Sequence, residues 1–157
     1  INESVNKLLR KLKEKEIELS YDIADNASVV FVDSNQIKRV FINLINNAIK
    51  FSPPKGKITI KSHKDDRQVQ IDISDNGCGI PEHAQESIFE EFYRVDNEIN
   101  QNVKGTGLGL ALAKKIVAAH GGKMWLTSQV HHGTTFYFTL PLAPKTNGAM
   151  NPAQRRL

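Results

Sequence analysis

Apolar residues recur along the chain with two periods, and those periods mark out its elements. Between Asp33 and Phe51 the apolar positions are Ile37, Val40, Phe41, Leu44, Ile45 and Ala48. Their steps of three, four or one define one helix face. Asp33 or Ser34 caps the start of this helix, and Pro53 and Pro54 stop it, because proline removes a donor and biases the residue before it out of the helical region. Val5, Leu8, Leu9 and Leu12 make a narrow helical stripe over residues 1–14, a lead-in helix or the stub of one cut from an upstream helical domain. Leu108 to His120 is a further helix, with Leu112, Ile116 and Val117 inward and Gly121-Gly122 at its end. Glu82 to Phe92 also reads as helical.

Elsewhere the period is two. Ile17, Leu19, Tyr21 and Ile23 alternate, as do Ile58 and Ile60 in Lys57–His63, Val69, Ile71 and Ile73 in Gln68–Ser74, and Phe136, Phe138 and Leu140 in Thr134–Leu140. Lys123–Gln129 is a fifth strand, and Val29–Val32 is a short strand-like run. Lys64-Asp65-Asp66-Arg67 reads as a hairpin loop. About five strands and three main helices, with the later strand pairs adjacent in sequence, predict an α/β fold of the α+β type. It is a two-layer sandwich of a mixed, mostly antiparallel five-stranded sheet with helices on one face. The folded domain spans residues 15–142. Residues 143–157 are almost devoid of apolar side chains and are expected to be a disordered tail.

Composition narrows the function classes. The chain has 157 residues, 39% hydrophobic and 24% charged, which describes a single globular domain. No apolar run approaches a membrane span. Because the chain starts at Ile1, it reads as a piece of a longer protein, expected in the cytoplasm, with any membrane anchor in the part not given. One cysteine, Cys78, excludes an internal disulfide and favours a reducing compartment. The net charge of +4 is modest and no basic–aromatic interleaving accompanies it, so no nucleic-acid partner is expected. None of the five histidines stands at metal-site spacing from a cysteine or carboxylate.

The polar residues carry the chemistry. Asn43, Asn47 and Lys50 recur at i, i+4 and i+7 and share one stripe beside the apolar face of the Asp33–Phe51 helix. Asn is a mediocre helix former, yet Asn43, Asn46 and Asn47 crowd into five positions. An amide oxygen suits a hard cation, and a lysine suits phosphate; the alternative is a polar helix edge. Asp75-Asn76-Gly77-Cys78-Gly79 follows a strand, where glycines permit close backbone approach to a ligand and a carboxylate can accept from an amino group; the alternative is a plain turn. Gly105-Thr106-Gly107-Leu108-Gly109-Leu110 opens a helix with alternate glycines, an anion-binding arrangement, although it is neither a Walker loop nor a dinucleotide fingerprint. The alternative is a flexible connection. Phe89 and Phe92 are read as core aromatics, and Arg94 follows them within reach of a phosphate.

In this order the four boxes resemble one family. The chain is similar to the catalytic, ATP-binding domain of sensor histidine kinases, in the GHKL superfamily, from about residue 5 to 142. The resemblance rests on Asn43–Pro53, Asp75-x-Gly77-x-Gly79-Ile80-Pro81, Phe89-x-x-Phe92-Tyr93-Arg94 and Gly105–Leu110, with Gly133–Pro141 in agreement. It implies that Asp75 accepts from the adenine amino group, with Gly77 and Gly79 shaping that end. Asn47, supported by Asn43, holds Mg²⁺ bridging the phosphates of ATP. Lys50 reaches the phosphates and Phe51 flanks the purine. A lid runs from about Asp96 to Lys104, and Lys104, Gly105, Thr106, Gly107, Leu108, Gly109 and Leu110 border the phosphates. Thr134 or Thr135 lies beneath the adenine. Asn43, Lys50 and Arg94 assist transfer of the γ-phosphate.

The resemblance also implies a histidine protein kinase whose acceptor histidine sits on a separate dimerisation domain of the same parent, with relay to an aspartate of a response regulator. The family's acceptor is followed by an acidic residue. Here His63 precedes Lys64, His83 precedes Ala84, His120 precedes Gly121, His131 precedes His132 and His132 precedes Gly133. The fragment is therefore expected to bind ATP without its own acceptor, and to be monomeric although the parent is a homodimer. Two other readings are a hydrolytic ATPase of the same fold, disfavoured because Asn43 stands where a water-activating Glu is usual, and a non-enzymatic nucleotide-binding module.

Overall fold

The computed structural model describes residues 2–23, 30, 32–95 and 105–143. Five strands, β1 (Glu18–Ile23), β2 (Lys57–Lys64), β3 (Gln68–Asp75), β4 (Met124–Gln129) and β5 (Gly133–Pro141), form one sheet in the order β1-β2-β3-β5-β4. β1 and β2 pair in parallel and the remaining three neighbours pair antiparallel. The helices are α1 (Asn2–Glu14), α2 (Ser34–Phe51) and α3 (Gly109–Ala119). α2 lies in the long connection between β1 and β2, the crossover that a parallel pair requires.

Alternation sorts the sheet into two faces. Ile58, Ile73, Phe136 and Phe138 face the helices and are buried against Val40 and Leu44 of α2, Val117 of α3, and Leu8 and Leu12 of α1. Phe41 meets Phe138 edge-on at 5.4 Å between ring centroids. The opposite face is polar. Ser20, Thr59, Ser74, Thr135 and Thr127 stand in register across all five strands, and Trp125 stacks on Tyr137. This one-sided core is why the strands alternate rather than run apolar throughout.

The N-terminus of α2 is capped by Asp33, whose carboxylate accepts from Asn35 N at 2.8 Å and Gln36 N at 3.1 Å. Its C-terminus is held from outside: Lys15 Nζ donates to the carbonyls of Ile49 (2.8 Å), Lys50 (3.0 Å) and Ser52 (3.0 Å). A cation at these otherwise unsatisfied carbonyls fits the helix dipole. Lys15→Met should cost about 1–2 kcal/mol, read as a lower urea midpoint at unchanged slope. His120 caps α3: its Nδ1 donates to Ile116 O at 2.8 Å while Nε2 accepts from Asp33 N at 3.1 Å. Those two partners select the neutral Nδ1–H tautomer, so the ring serves as a hydrogen-bond link to α2's cap rather than as a cation on the dipole.

Four expectations change. Glu82–Phe92 is not one helix but two 3₁₀ turns, Glu82–Ala84 and Ser87–Phe89. No side chain caps either turn, and a segment this short does not offset helix nucleation. The Gln85 amide instead donates to the carbonyls of Ile80 and Ser128, tying the segment to the sheet. Phe92 is not core. Its φ is +66° and its side chain is 70% exposed, whereas Phe89 packs edge-on against Phe136. Leu112 points outward, and Ala111 and Ala113 take the buried positions beside Ile116 and Val117; small residues let α3 lie close to its neighbours. In the Val29–Val32 run, Val30 makes a single antiparallel bridge to Leu142, and Val29 and Phe31 lie outside the described residues. The tail from 144 onward also lies outside them. Among the described residues no helix is long and apolar enough to cross a membrane.

Candidate nucleotide-binding site

One cleft of about 330 Å³ opens between α1, α2, the glycine loop ahead of α3 and the adjoining ends of β3 and β5. α2 presents Asn43, Asn47, Lys50 and Phe51 to it, because its apolar face is committed to the sheet and the neighbouring stripe is left over. β3 delivers Asp75 and β5 delivers Thr134, which are paired in register. Gly79, Arg94, Gly105, Thr106, Gly107, Gly109 and Leu110 complete the residues anticipated there. Gly77 and Leu108 do not line it. Gly77 is packed behind, where an added Cβ would lie 2.6 Å from Phe51 O, and Leu108 occupies the N-cap position of α3 and is partly exposed. Lys104 and the expected lid, 96–104, lie outside the described residues.

The two ends differ in chemistry. At the sheet end, burial pushes the Asp75 carboxyl up to about 6, against partial relief from the backbone N–H groups of Gly77 (2.8 Å) and Thr134. A carboxylate held in a poorly solvated wall is a strong acceptor for a ligand N–H. Thr134 is fixed by its hydroxyl contact with Ser128 Oγ at 2.9 Å, and Ser128 Oγ also accepts from Ile80 N at 2.8 Å. Ile80, Ile88, Val95 and Phe136 give this end apolar walls suited to a flat aromatic ring. Cys78 lies in the same wall. Burial and the Asp75 charge keep its thiol protonated, which fits a small packing side chain rather than a nucleophile.

The other end is cationic. Lys50 and Arg94 share it, and the Lys50 ammonium is held below the ordinary lysine range by desolvation first, then by the charges of Arg94 and Lys11. The glycine loop presses onto α2: a Cβ on Gly105 would lie 2.7 Å from Lys50 Nζ, and one on Gly109 would lie 3.4 Å from Asn43 Oδ1. Backbone amides, a lysine and an arginine around one space form an anion site. Lys11, Asn46, Cys78, Ile80, Ile88, Tyr93, Val95 and Phe136 also line it and were not among the site residues anticipated. Phe136 was legible as an apolar strand position and Ile80 as part of the Gly79-Ile80-Pro81 box, and nothing in the local sequence places the α1 residue Lys11 in this cleft.

Comparison with known proteins agrees with this geometry. Residues 32–144 match the family of histidine kinase-, DNA gyrase B-, and HSP90-like ATPases. Over 133 residues the chain is 41% identical to the adaptive-response sensory kinase SasA of Synechocystis sp., covering 84% of this chain and 34% of that protein. Over 131 residues it is 41% identical to the sensor histidine kinase WalK of Bacillus subtilis, covering 82% and 21%. The catalytic domain of histidine kinase ThkA superposes with a TM-score of 0.75 at 32% identity, covering 91% of this chain and 95% of that one. ThkA in complex with the response regulator TrrA superposes at a TM-score of 0.71 with 28% identity, covering 93% and 41%. The fold, the cleft and these matches place the chain in the histidine kinase-, DNA gyrase B-, and HSP90-like ATPase family. Within it, the chain is an ATP-binding catalytic domain of the histidine kinase kind. It spans about a third or less of the length of the two curated relatives named here.

Proposed function

We propose that the cleft binds Mg-ATP, with the adenine at the Asp75 end and the phosphates at the Lys50 end, and that the domain donates the γ-phosphate to a histidine on a separate dimerisation domain of its parent protein. The observation that carries this reading is the polarity of one continuous cleft: a buried acceptor carboxylate between apolar walls at one end, and two cations with a glycine loop at the other. Purine recognition needs the first and triphosphate binding the second. Asp75 accepts from the exocyclic amine. Phe51 and the apolar walls exclude water from the ring. Lys50, Arg94 and the amides of Gly105, Thr106, Gly107 and Gly109 position the phosphates and neutralise their charge, which is most of what phosphoryl transfer asks of a protein.

The donor set fits magnesium only together with nucleotide. Among the described residues no group of three or more His, Cys, Asp or Glu is placed to hold a metal. Asn47 and Asn43 offer neutral amide oxygens, and a hard cation there would complete its shell with phosphate oxygens and water. Bound in that way, Mg²⁺ would neutralise phosphate charge. Calorimetric titration should therefore give saturable ATP binding that weakens about tenfold or more without Mg²⁺, and no detectable Mg²⁺ binding in the absence of nucleotide. Mg²⁺-independent ATP affinity would remove the metal from this account.

None of the five histidines lines the cleft. His63 is paired with Asp72 on the open sheet face, and His120 is engaged as the α3 cap. The acceptor is accordingly assigned to another domain, and from there the phosphate passes to a response-regulator aspartate. Incubation of this domain with ATP should leave it without stoichiometric phosphohistidine by mass spectrometry. Addition of the parent's dimerisation domain should restore transfer. Asp75 is the only carboxylate among the described residues lining the cleft, and Asn43 offers no base for water. This favours transfer over hydrolysis, and steady ATP turnover by the isolated domain would reverse that preference.

A further inference from the structure

Lys11 stands apart from the other cleft residues because it comes from α1, a helix outside the glycine and asparagine boxes. Leu8 and Leu12 bury one face of α1 in the core, and this sets Lys11 on the flank that borders α2 and the cleft. Its Nζ donates to Asn46 Oδ1 at 3.0 Å. That contact uses one of the three donors of the ammonium, and among the described residues no other partner takes the remainder. Lys11 and Lys50 both line the cleft, and among the described residues neither has a carboxylate partner. Lys11 is close enough to Lys50 that its charge disfavours the Lys50 ammonium. Two like charges brought together across a helix interface are costly unless an anion completes the arrangement. Asn46 thereby acquires a role: it lines the cleft with Asn43 and Asn47, and its amide oxygen accepts from Lys11 and steadies it there.

We propose that Lys11 is a phosphate ligand of the nucleotide, delivered to the cleft by the docking of α1 on α2. Resting on the ATP-binding reading above, this adds to it a consequence for coupling. A movement that lifts α1 from α2 withdraws one cation from the phosphates. By linkage, a bound polyphosphate holds α1 in place to the same extent. One residue past the end of α1, Lys15 clamps the C-terminus of α2, so α1 and the turn that follows it hold α2 at the cleft and at its end.

The test is calorimetry on the wild-type domain, Lys11→Met and Lys11→Gln, with adenosine, ADP and Mg-ATP at one fixed ionic strength, and thermal melts to establish folding. Lys11→Gln retains an amide donor for Asn46 and removes the charge. Both variants are expected to lose about five- to tenfold in affinity for ADP and ATP and to bind adenosine within about twofold of wild type. Lys11→Arg, which keeps the charge, should stay within about threefold for all three ligands. Unchanged ATP affinity in a folded Lys11→Gln variant would overturn the assignment. So would an equal loss for adenosine, which would make Lys11 a structural anchor of α1. If the wild-type domain itself fails to bind ATP, the reading of the whole cleft fails first, and the wild-type titration distinguishes that case from failure of Lys11 alone.

Discussion

Asp75→Asn is expected to weaken ATP binding by about tenfold to a hundredfold, the range for losing a charge-assisted hydrogen bond in a poorly solvated site, while leaving the empty protein at least as stable. The two effects have one cause. The Asp75 carboxyl sits at about 6, above its ordinary 3.8, because burial penalises the charge more than the Gly77 and Thr134 amides offset. A raised carboxyl means that the folded state holds the proton more tightly than the unfolded state. Stability contributed by the neutral form is thus present below about pH 4, declines as pH rises toward 6, and is absent at pH 7. Asparagine carries no charge to desolvate, so at pH 7 the variant should gain about 1–2 kcal/mol after allowance for partial solvent screening, and at pH 4 the difference should largely vanish. Urea unfolding of both proteins at the two pH values, beside calorimetry at pH 7, checks the pair of predictions. In the wild type, ATP affinity should fall as pH drops through 6, because a protonated carboxyl is the weaker acceptor. A less stable variant at pH 7 would mean that the carboxylate is needed to hold the loop together rather than kept there for a ligand.

Gly79→Ala is expected to have the larger effect on folding. Gly79 has φ +71°, and an added Cβ would lie 2.1 Å from Gln129 O, a backbone atom that cannot swing away. The same seam is pinned by His131 N, which donates to Cys78 O at 2.8 Å. Gly133 mirrors it, at φ +99° with its Cβ position 2.0 Å from Asp75 O. The loop after β3 and the β4–β5 turn thus meet backbone to backbone, and Asp75 is positioned by that contact. Backbone strain plus the clash should cost about 2–4 kcal/mol and abolish ATP binding with it. Gly105→Ala is the contrasting variant. Among the described residues its Cβ would meet only Lys50 Nζ, the end of a flexible chain, so stability should change by less than about 0.5 kcal/mol while phosphate binding weakens. Urea midpoints of the two variants separate a glycine required by the fold from one required by the ligand. Equal destabilisation of both would undo the distinction.

Spacing along the chain was enough to mark the strands and the principal helices, whereas Asp75, Arg94 and the glycine boxes were read as a site only through the family resemblance. Strand alternation with period two and the α2 stripe with period near 3.6 are local consequences of where a one-sided core must lie, so Ile58, Ile73, Phe136 and Phe138, and Val40 and Leu44, could be placed from it alone. Asn43, Asn47 and Lys50 were legible for the same reason, as the polar stripe left beside an apolar one. Whatever depends on a neighbour remote in sequence was settled by the packing instead. Residues 82–92 carry a helical pattern, yet Gln85 finds the carbonyls of Ile80 and Ser128, and those contacts hold the segment as 3₁₀ turns. Leu112 has the spacing of a core residue, but the close approach of α3 is met by alanines. Phe92 belongs to a motif and still faces solvent, because its backbone turns at φ +66° to meet Gly107. Lys11 and Lys15 look like ordinary solvated lysines in a basic helix. They become a cleft residue and a helix clamp only when α1 docks on α2, bringing Nζ groups to Asn46 and to the last carbonyls of a helix distant in sequence. Periodicity is read along one element, whereas burial of a charge, a capping partner or the exposure of a side chain is a property of two elements in contact.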